Sequence, residues 1–323
     1  MSGNEFDIIG RYFASQPVTR RDVDLGIGDD AALISVPEGN QVAVTTDTLV
    51  AGVHFLEDAN PEWVAHKALA ANLSDLAAMG AMPAWCSLAL TLPENDEGWI
   101  EAFCKGFYKL AEYFNVQLIG GDTTRGPLSI SITLQGLVPT GQALTRSGAK
   151  VGDWIYVTGE LGDSALGLDF ILGNRDRTGL YAEALIRGHY LRQPRVLAGQ
   201  KLRGIASSTL DISDGLISDL PHILKASGVG ANVDAALIPV SSVLNELEKD
   251  PQVAAKMALC SGEEYELCFT VPEINRGALD TAFAHADIHL VCIGQIRSGS
   301  GLTLNWQGDA VDWQLAGWDH FSE

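Results

Sequence analysis

Positive charge is scarce in this chain, and the usual phosphate-binding signatures are missing. Lys and Arg number 21 of 323 residues against 41 Asp and Glu, a formal net charge of −20. Such a balance repels nucleic acid and anionic membrane surfaces, so neither is an expected partner. No GxxxxGK(S/T) loop, no GxGxxG opening a βαβ unit, and no HRD or DFG set occurs. A nucleotide site would therefore have to be built from metal ions and backbone glycines with few basic residues. The five cysteines (Cys86, Cys104, Cys260, Cys268, Cys292) are odd in number and show no CxxC spacing, which argues against zinc or a disulfide framework. No apolar run approaches the length of a membrane span. The opening MSGNEFDIIGRYF lacks a basic segment followed by an apolar one, so no secretory signal is read and a soluble cytoplasmic protein is expected.

What is present is globular. Hydrophobic residues make up 46% and charged residues 19%, and the length exceeds what one core usually supports. Strand-like and helix-like runs alternate throughout, which predicts α/β or α+β architecture. Residues 41–50, QVAVTTDTLV, read as a strand. A long helix follows, with Asn60 as N-cap and Pro61 at its first position. In it Leu69, Leu73, Leu76 and Gly80 share one face, and Asn72, Asp75 and Met79 another. Trp85 to Leu92 read as a buried strand. Ile100, Phe103, Phe107, Leu110 and Phe114 form a helical core stripe, and Ile130, Ile132 and Leu134 alternate as in a strand. The polar, Gly-rich stretch 139–153 marks a boundary. It divides an N-terminal domain, 1–140, from a C-terminal one, 150–323. In the second, DWIYVTG, TLDIS, YELCFTV and IHLVCIGQI read as strands, and SALGLDFIL, DGLISDLPHIL and a segment starting near Pro272 as helices.

The chemistry lies in carboxylates at strand ends and turns, where an Asp is costly unless a cation or hydrogen bonds compensate it. Five such places occur. They are the pair in Gly28-Asp29-Asp30, the hydroxyl-flanked Asp47 in Thr45-Thr46-Asp47-Thr48, and Asp75 in the Ala-rich helix. The others are Asp122 after Gly120-Gly121, and the pair in Asp211-Ile212-Ser213-Asp214-Gly215. Hydroxyl, carbonyl and carboxylate oxygens are the hard donors that Mg²⁺ takes. Glycines let backbone N–H groups approach phosphate oxygens, and a helix start beyond Asp214 attracts an anion. Each place has a bland alternative: a surface turn, a capped strand end, an exposed helix face. Their recurrence in one acidic chain is the stronger signal.

The motifs GIGDDAA, VTTDTLVAGVHF, KALAANLSDLAAMGAMP, QLIGGDTTRG, LDISDGLISDL and SGEEYEL, in this order, closely resemble the thiamine-monophosphate kinase family over nearly the whole chain. The wider superfamily includes aminoimidazole ribonucleotide synthetase, selenophosphate synthetase and a hydrogenase maturation factor. A selenophosphate synthetase would carry a reactive Cys near a Lys within a Gly-rich N-terminal segment, and the first 30 residues hold neither Cys nor Lys. The hydrogenase factor would end in a Cys-containing tail, unlike DHFSE. Two departures stand in SGEEYEL against the family's GGEDYEL, Ser261 for Gly and Glu264 for Asp, while Glu263 and Tyr265 remain.

The resemblance implies the two-domain fold of the aminoimidazole ribonucleotide synthetase type. The N-terminal α/β domains of two copies would pair into a barrel-like dimer core. The C-terminal α+β domain would complete an ATP cleft and the substrate site. It implies transfer of a phosphoryl group from ATP, the co-substrate, to thiamine monophosphate, giving thiamine diphosphate, with several Mg²⁺ ions and no phosphoenzyme. By the same resemblance Asp30, Thr45, Thr46, Asp47, Asp75, Asp122, Asp211 and Asp214 correspond to metal ligands. Gly121, Asp122, Arg146 and Ser213 correspond to ATP contacts, and His54, Glu263 and Trp318 to the thiamine-phosphate site. The acceptor phosphate is already an anion, so no catalytic base is named. Taken without the resemblance, Trp318 would be a packing residue, His54 a satisfied strand-end histidine, and Arg146 a surface residue of a linker. Two other functions stay open at this level: a different ATP-dependent superfamily member, and a metal- and nucleotide-binding regulator without turnover.

Overall fold

A computed structural model of the chain describes residues 8–318 and divides into two compact units. Of the described residues, the first comprises 8–76 and 81–141, the second 77–80 and 142–318.

The first unit opens with a short π-helical turn, Ile9–Phe13, and a ribbon of β1 (Val23–Leu25) and β2 (Leu33–Ile34). Its sheet contains β3 (Asn40–Val50), β4 (Met82–Leu92), β5 (Gln117–Arg125) and β6 (Ser129–Pro139) in the order β3-β6-β4-β5. Only β4 and β5 run parallel. The sheet is two-sided in chemistry. Leu49, Leu88, Leu90, Ile130, Ile132 and Leu134 are buried on one face. On the other, Val44 is 62% exposed, and Thr46 and Thr48 hydrogen-bond Thr133 and Ser131 across the β3–β6 ladder. Period-two patterning of this kind is what fixes strand register.

Helix α1 (Pro61–Ala78) begins as the sequence predicts: Asn60 Oδ1 accepts from Glu62 N. Its Leu stripe is buried, and so are Asn72 and Ser74, which point to opposite sides, so the helix is covered nearly all round. Helix α2 (Glu97–Tyr113) is capped by Asp96 and buries Ile100, Phe103, Phe107 and Leu110, with Phe114 as its C-cap. A smaller cluster joins Trp85 to the ribbon through Val23 and Ile34. Trp85 Nε1 donates to Asp22 Oδ1 at 3.1 Å, and Arg20 grips the same carboxylate with two bonds.

The second unit is built on a sheet of β7 (Trp154–Thr158), β8 (Ser208–Asp211), β9 (Gly230–Asp234), β10 (Leu267–Val271), β11 (Leu290–Arg297), β12 (Gly301–Trp306) and β13 (Asp309–Val311). Their order is β13-β12-β9-β11-β7-β10-β8. The helices, in chain order, are α3 (Asp163–Ile171), α4 (Ala182–Tyr190), α5 (Val196–Leu202), α6 (Leu216–Ser227), α7 (Ser242–Leu247), α8 (Pro251–Cys260) and α9 (Arg276–Phe283). The main core packs α6 and α8 on the sheet through Leu216, Leu220, Ile223, Ala258 and Leu259. A second core joins α3, α4, α7 and α8 through Leu166, Phe170, Leu185, Leu244 and Ala254. Near Pro272 a 3₁₀ turn, Glu273–Asn275, precedes α9.

Candidate active site

In the first unit, Asp47 and Asp75 form the central pair. Asp47 lies on β3 in register with buried Ile132, and Asp75 lies on α1. Thr45 is two residues along from Asp47, on the same face of the strand, and its hydroxyl donates to Asp75 Oδ2. Asp47 Oδ2 is buried and has no hydrogen-bond partner. Burial, and then the Asp75 carboxylate beside it, push the Asp47 carboxyl up to about 7. An uncompensated buried carboxylate next to a second one is the arrangement a cation relieves.

The other carboxylates and hydroxyls expected of this site stand apart from the pair. The Thr46 hydroxyl projects from the opposite face of β3 and bonds Thr133 Oγ1 at 2.9 Å. Asp30 is exposed in the turn between β1 and β2, its N–H donating to Asp29 Oδ1 at 2.9 Å. Asp122 is exposed and in register with exposed Ala89, whereas Asp47 shares its face with Ile132 and Leu88. Among the described residues no three His, Cys, Asp or Glu side chains gather closely enough to hold an ion.

Gly121 has a packing reason of its own. At φ 155° its missing Cβ would lie 1.9 Å from the Leu88 carbonyl oxygen of neighbouring β4. The close approach this glycine permits is thus to a strand.

His54 sits in the turn after β3. Val50 N donates to its Nδ1 at 3.0 Å, so the neutral ring carries its hydrogen on Nε2. The His54 carbonyl accepts from Lys67 Nζ at 2.6 Å, which fixes the turn to a lysine only 1% exposed.

In the second unit everything gathers on the turn that follows β8. Asp211 is buried at the end of that strand, in register with Leu267. The next three carbonyls each accept a backbone N–H from elsewhere: Ile212 O from Tyr265 at 3.0 Å, Ser213 O from Glu263 at 2.7 Å, and Asp214 O from Trp318 at 3.0 Å. Glu263 and Trp318, far apart in sequence, are thereby hung from adjacent residues. Both Glu263 and Tyr265 take left-handed backbone conformations, φ 56° and 54°, which these hydrogen bonds hold in place. Trp318 is 56% exposed.

Sequence reasoning missed Asp219. Its Oδ2 accepts from Ser213 N at 3.0 Å and Asp214 N at 3.1 Å. The anion at the start of α6 is therefore the protein's own carboxylate, and the phosphate expected at those two N–H groups finds them engaged. Burial, and more weakly the Asp214 charge, push Asp219 up to about 7 against the pull of these donors and of Arg146. That influence brings exposed Arg146 into the field of the turn.

Glu264 and Glu266, between and beyond the two strained residues, are structural. Glu264 Oε1 accepts from Gly162 N, Ser164 N and Ser261 Oγ, and its other oxygen lies 2.8 Å from Arg192. Glu266 accepts two bonds from Arg195 and one from Thr158. The two departures at Ser261 and Glu264 thus contact each other.

Residues 28–138 match the family described as AIR synthase related protein, N-terminal domain, and residues 150–307 match its C-terminal domain. A thiamine-monophosphate kinase of Escherichia coli (strain K12) is 54% identical over 325 aligned residues, covering 100% of this chain and 99% of the relative. The chain belongs to the thiamine-monophosphate kinase family. It is a kinase with the two-domain AIR synthase-like fold. The crystal structure of a thiamine-monophosphate kinase from Stenotrophomonas maltophilia K279a is 47% identical, with TM-score 0.84, covering 91% of this chain and 93% of that one. A structure of AaThiL complexed with AMPPCP and TMP is 32% identical, with TM-score 0.78, covering 91% and 92%. For a member of the thiamine-monophosphate kinase family, the Asp47–Asp75 pair and the Ser213–Asp214 turn are the natural places to look for nucleotide and metal chemistry.

Proposed function

We propose that the protein transfers the γ-phosphoryl group of ATP directly, in line, to the phosphate of thiamine monophosphate, giving ADP and thiamine diphosphate. The observation that carries the metal part of this reading is the buried, unpartnered Asp47 Oδ2 beside Asp75. Its hard-oxygen surroundings suit Mg²⁺. When bound, Mg²⁺ neutralises phosphate oxygens and aligns donor with acceptor.

The chain's own residues do the rest. Thr45, Asp47 and Asp75 would hold metal on the inner face of the first unit's sheet, Asp30, Thr46 and Asp122 would ligate metal apart from that pair, and Asp211 and Asp214 would hold metal in the second unit. Gly121, Asp122, Arg146 and Ser213 contact ATP. Arg146 supplies one of the few positive charges available for phosphate. His54, donating from Nε2, meets the phosphate of thiamine monophosphate. Glu263 complements the fixed positive charge of its thiazolium, and exposed Trp318 offers a face on which the ring stacks. The relative solved with AMPPCP and TMP supports this choice of co-substrates.

The acting species is a homodimer joined through the open face of the first unit's sheet. The exposure of Val42, Val44 and Met82 along that sheet supports this. No helix among the described residues is long and apolar enough to cross a membrane. The cytoplasm is the proposed place of work.

The test is to incubate the protein with ATP chiral at the γ-phosphorus, Mg²⁺ and thiamine monophosphate. Thiamine diphosphate with inverted phosphorus is expected. Retention would overturn the direct transfer, and no product would overturn the activity.

A further inference from the structure

We infer that His189 is a positioning residue for substrate recognition. Held by Ser164, it aims the Glu263 carboxylate at the cationic ring of the acceptor. The inference rests on the reading of Glu263 given above.

His189 is on α4, is 2% exposed, and belongs to none of the motifs that identify the family. Its Nδ1 lies 3.1 Å from both the hydroxyl and the carbonyl oxygen of Ser164 on α3. Its Nε2 lies 3.4 Å from Glu263 Oε2. A carboxylate only accepts, so Nε2 bears the hydrogen that faces it.

The two helices are brought together for this. Gly167 on α3 meets the Leu185 carbonyl oxygen of α4 at 2.4 Å and His189 Cβ at 3.0 Å from where its own Cβ would stand. No larger residue fits there without separating Ser164 from His189. Ser164 is fixed in turn, since its N–H donates to Glu264 Oε1 at 3.1 Å.

Glu263 needs such a partner. Its backbone is left-handed and tied to Ser213 O, while its side chain is 29% exposed at the turn that also carries Trp318. A buried imidazole 3.4 Å from one oxygen of a partly exposed carboxylate limits the directions in which that carboxylate can swing.

The experiment is a double-mutant cycle on the full chain, read as the KM for thiamine monophosphate and, separately, for ATP, with thermal melting alongside. Glu263→Gln should raise the KM for thiamine monophosphate by about tenfold and leave that for ATP unchanged. His189→Leu should raise the same constant by roughly threefold to tenfold, His189→Gln should recover most of the loss, and Leu with Gln at 263 should be no worse than Gln alone. Additive effects, or equal effects on both substrates, would overturn the positioning role. Should His189→Leu fail to fold, Ser164→Ala decides: a rise confined to thiamine monophosphate supports the role, and no change overturns it. If Glu263→Gln changes neither constant, it is the substrate reading of Glu263 that fails, and this inference with it.

Discussion

Replacing Asp47 by Asn should make the metal-free protein more stable while abolishing its activity. The carboxyl rises from 3.8 to about 7 because it is buried and faces Asp75. A raised carboxyl favours the protonated form in the folded state. Its charged form therefore costs nothing below about pH 4, costs progressively more through pH 4 to 7, and reaches a constant penalty above 7. At about 1.4 kcal/mol per pH unit the plateau is about 4 kcal/mol, and about half of that where water reaches the pair. Asn carries no charge, and its amide can donate to Asp75 from the position of the orphaned Oδ2. With EDTA at pH 8, Asp47→Asn should melt roughly 4–8 °C above the parent protein, taking about 2 kcal/mol as the gain. At pH 5.5 the difference should fall to about half, and with Mg²⁺ it should shrink as the ion stabilises only the parent. Equal melting temperatures in EDTA at pH 8, or a difference indifferent to pH and to Mg²⁺, would refute the reasoning.

Turnover should require a divalent cation, and Asp122→Asn, like Asp47→Asn, should reduce kcat to near background in a folded protein, measured by thiamine diphosphate formation. Trp318→Ala should raise the KM for thiamine monophosphate about tenfold, with that for ATP largely unchanged and stability checked by melting. Gly121→Ala should cost about 3 kcal/mol or more by urea titration, because its Cβ would collide with the Leu88 carbonyl oxygen. Light scattering at micromolar concentration should report about twice the 34.5 kDa chain mass, and an active monomer would contradict the proposed pairing of sheets.

Long periodic elements were legible in the sequence because their side chains report their own environment. The strand read at 41–50 is Asn40–Val50, and the Asn60-capped helix starts at Pro61 as expected. The stripe Ile100, Phe103, Phe107 and Leu110 is buried. What stayed hidden is set by partners remote in the chain. Helices α4, α5, α7 and α8 are short, and β12 gains its place only by parallel pairing with β9. The strand read from Tyr265 begins at Leu267, because Glu263 and Tyr265 are pulled into left-handed turns by carbonyls some fifty residues earlier. At the site, the sequence marked where carboxylates occur but not which way they point. Thr46 and Asp47 are neighbours on opposite faces of one strand, and only register separates Asp122 from Asp47.

That distinction between position and surroundings is also what sorts the acidic residues by role. Glu266 sits within three charged or hydroxyl donors, and Glu264 has three donors on one oxygen and Arg192 at the other. Asp219 takes the two N–H groups of the turn it supports. Each of these carboxylates meets donors from within the protein, although burial still raises Asp219 and Glu264, so removing one should loosen the fold first and activity as a consequence. Asp47 is the opposite case: buried, beside a like charge, with one oxygen that no donor meets. A fold retains such a group only at a cost to its own stability, and on the proposed reading that cost would disappear when a cation arrives with the nucleotide. If it does, an acidic chain with few lysines and arginines can bind a highly charged anion without a basic pocket, because the positive charge would be recruited with the ligand.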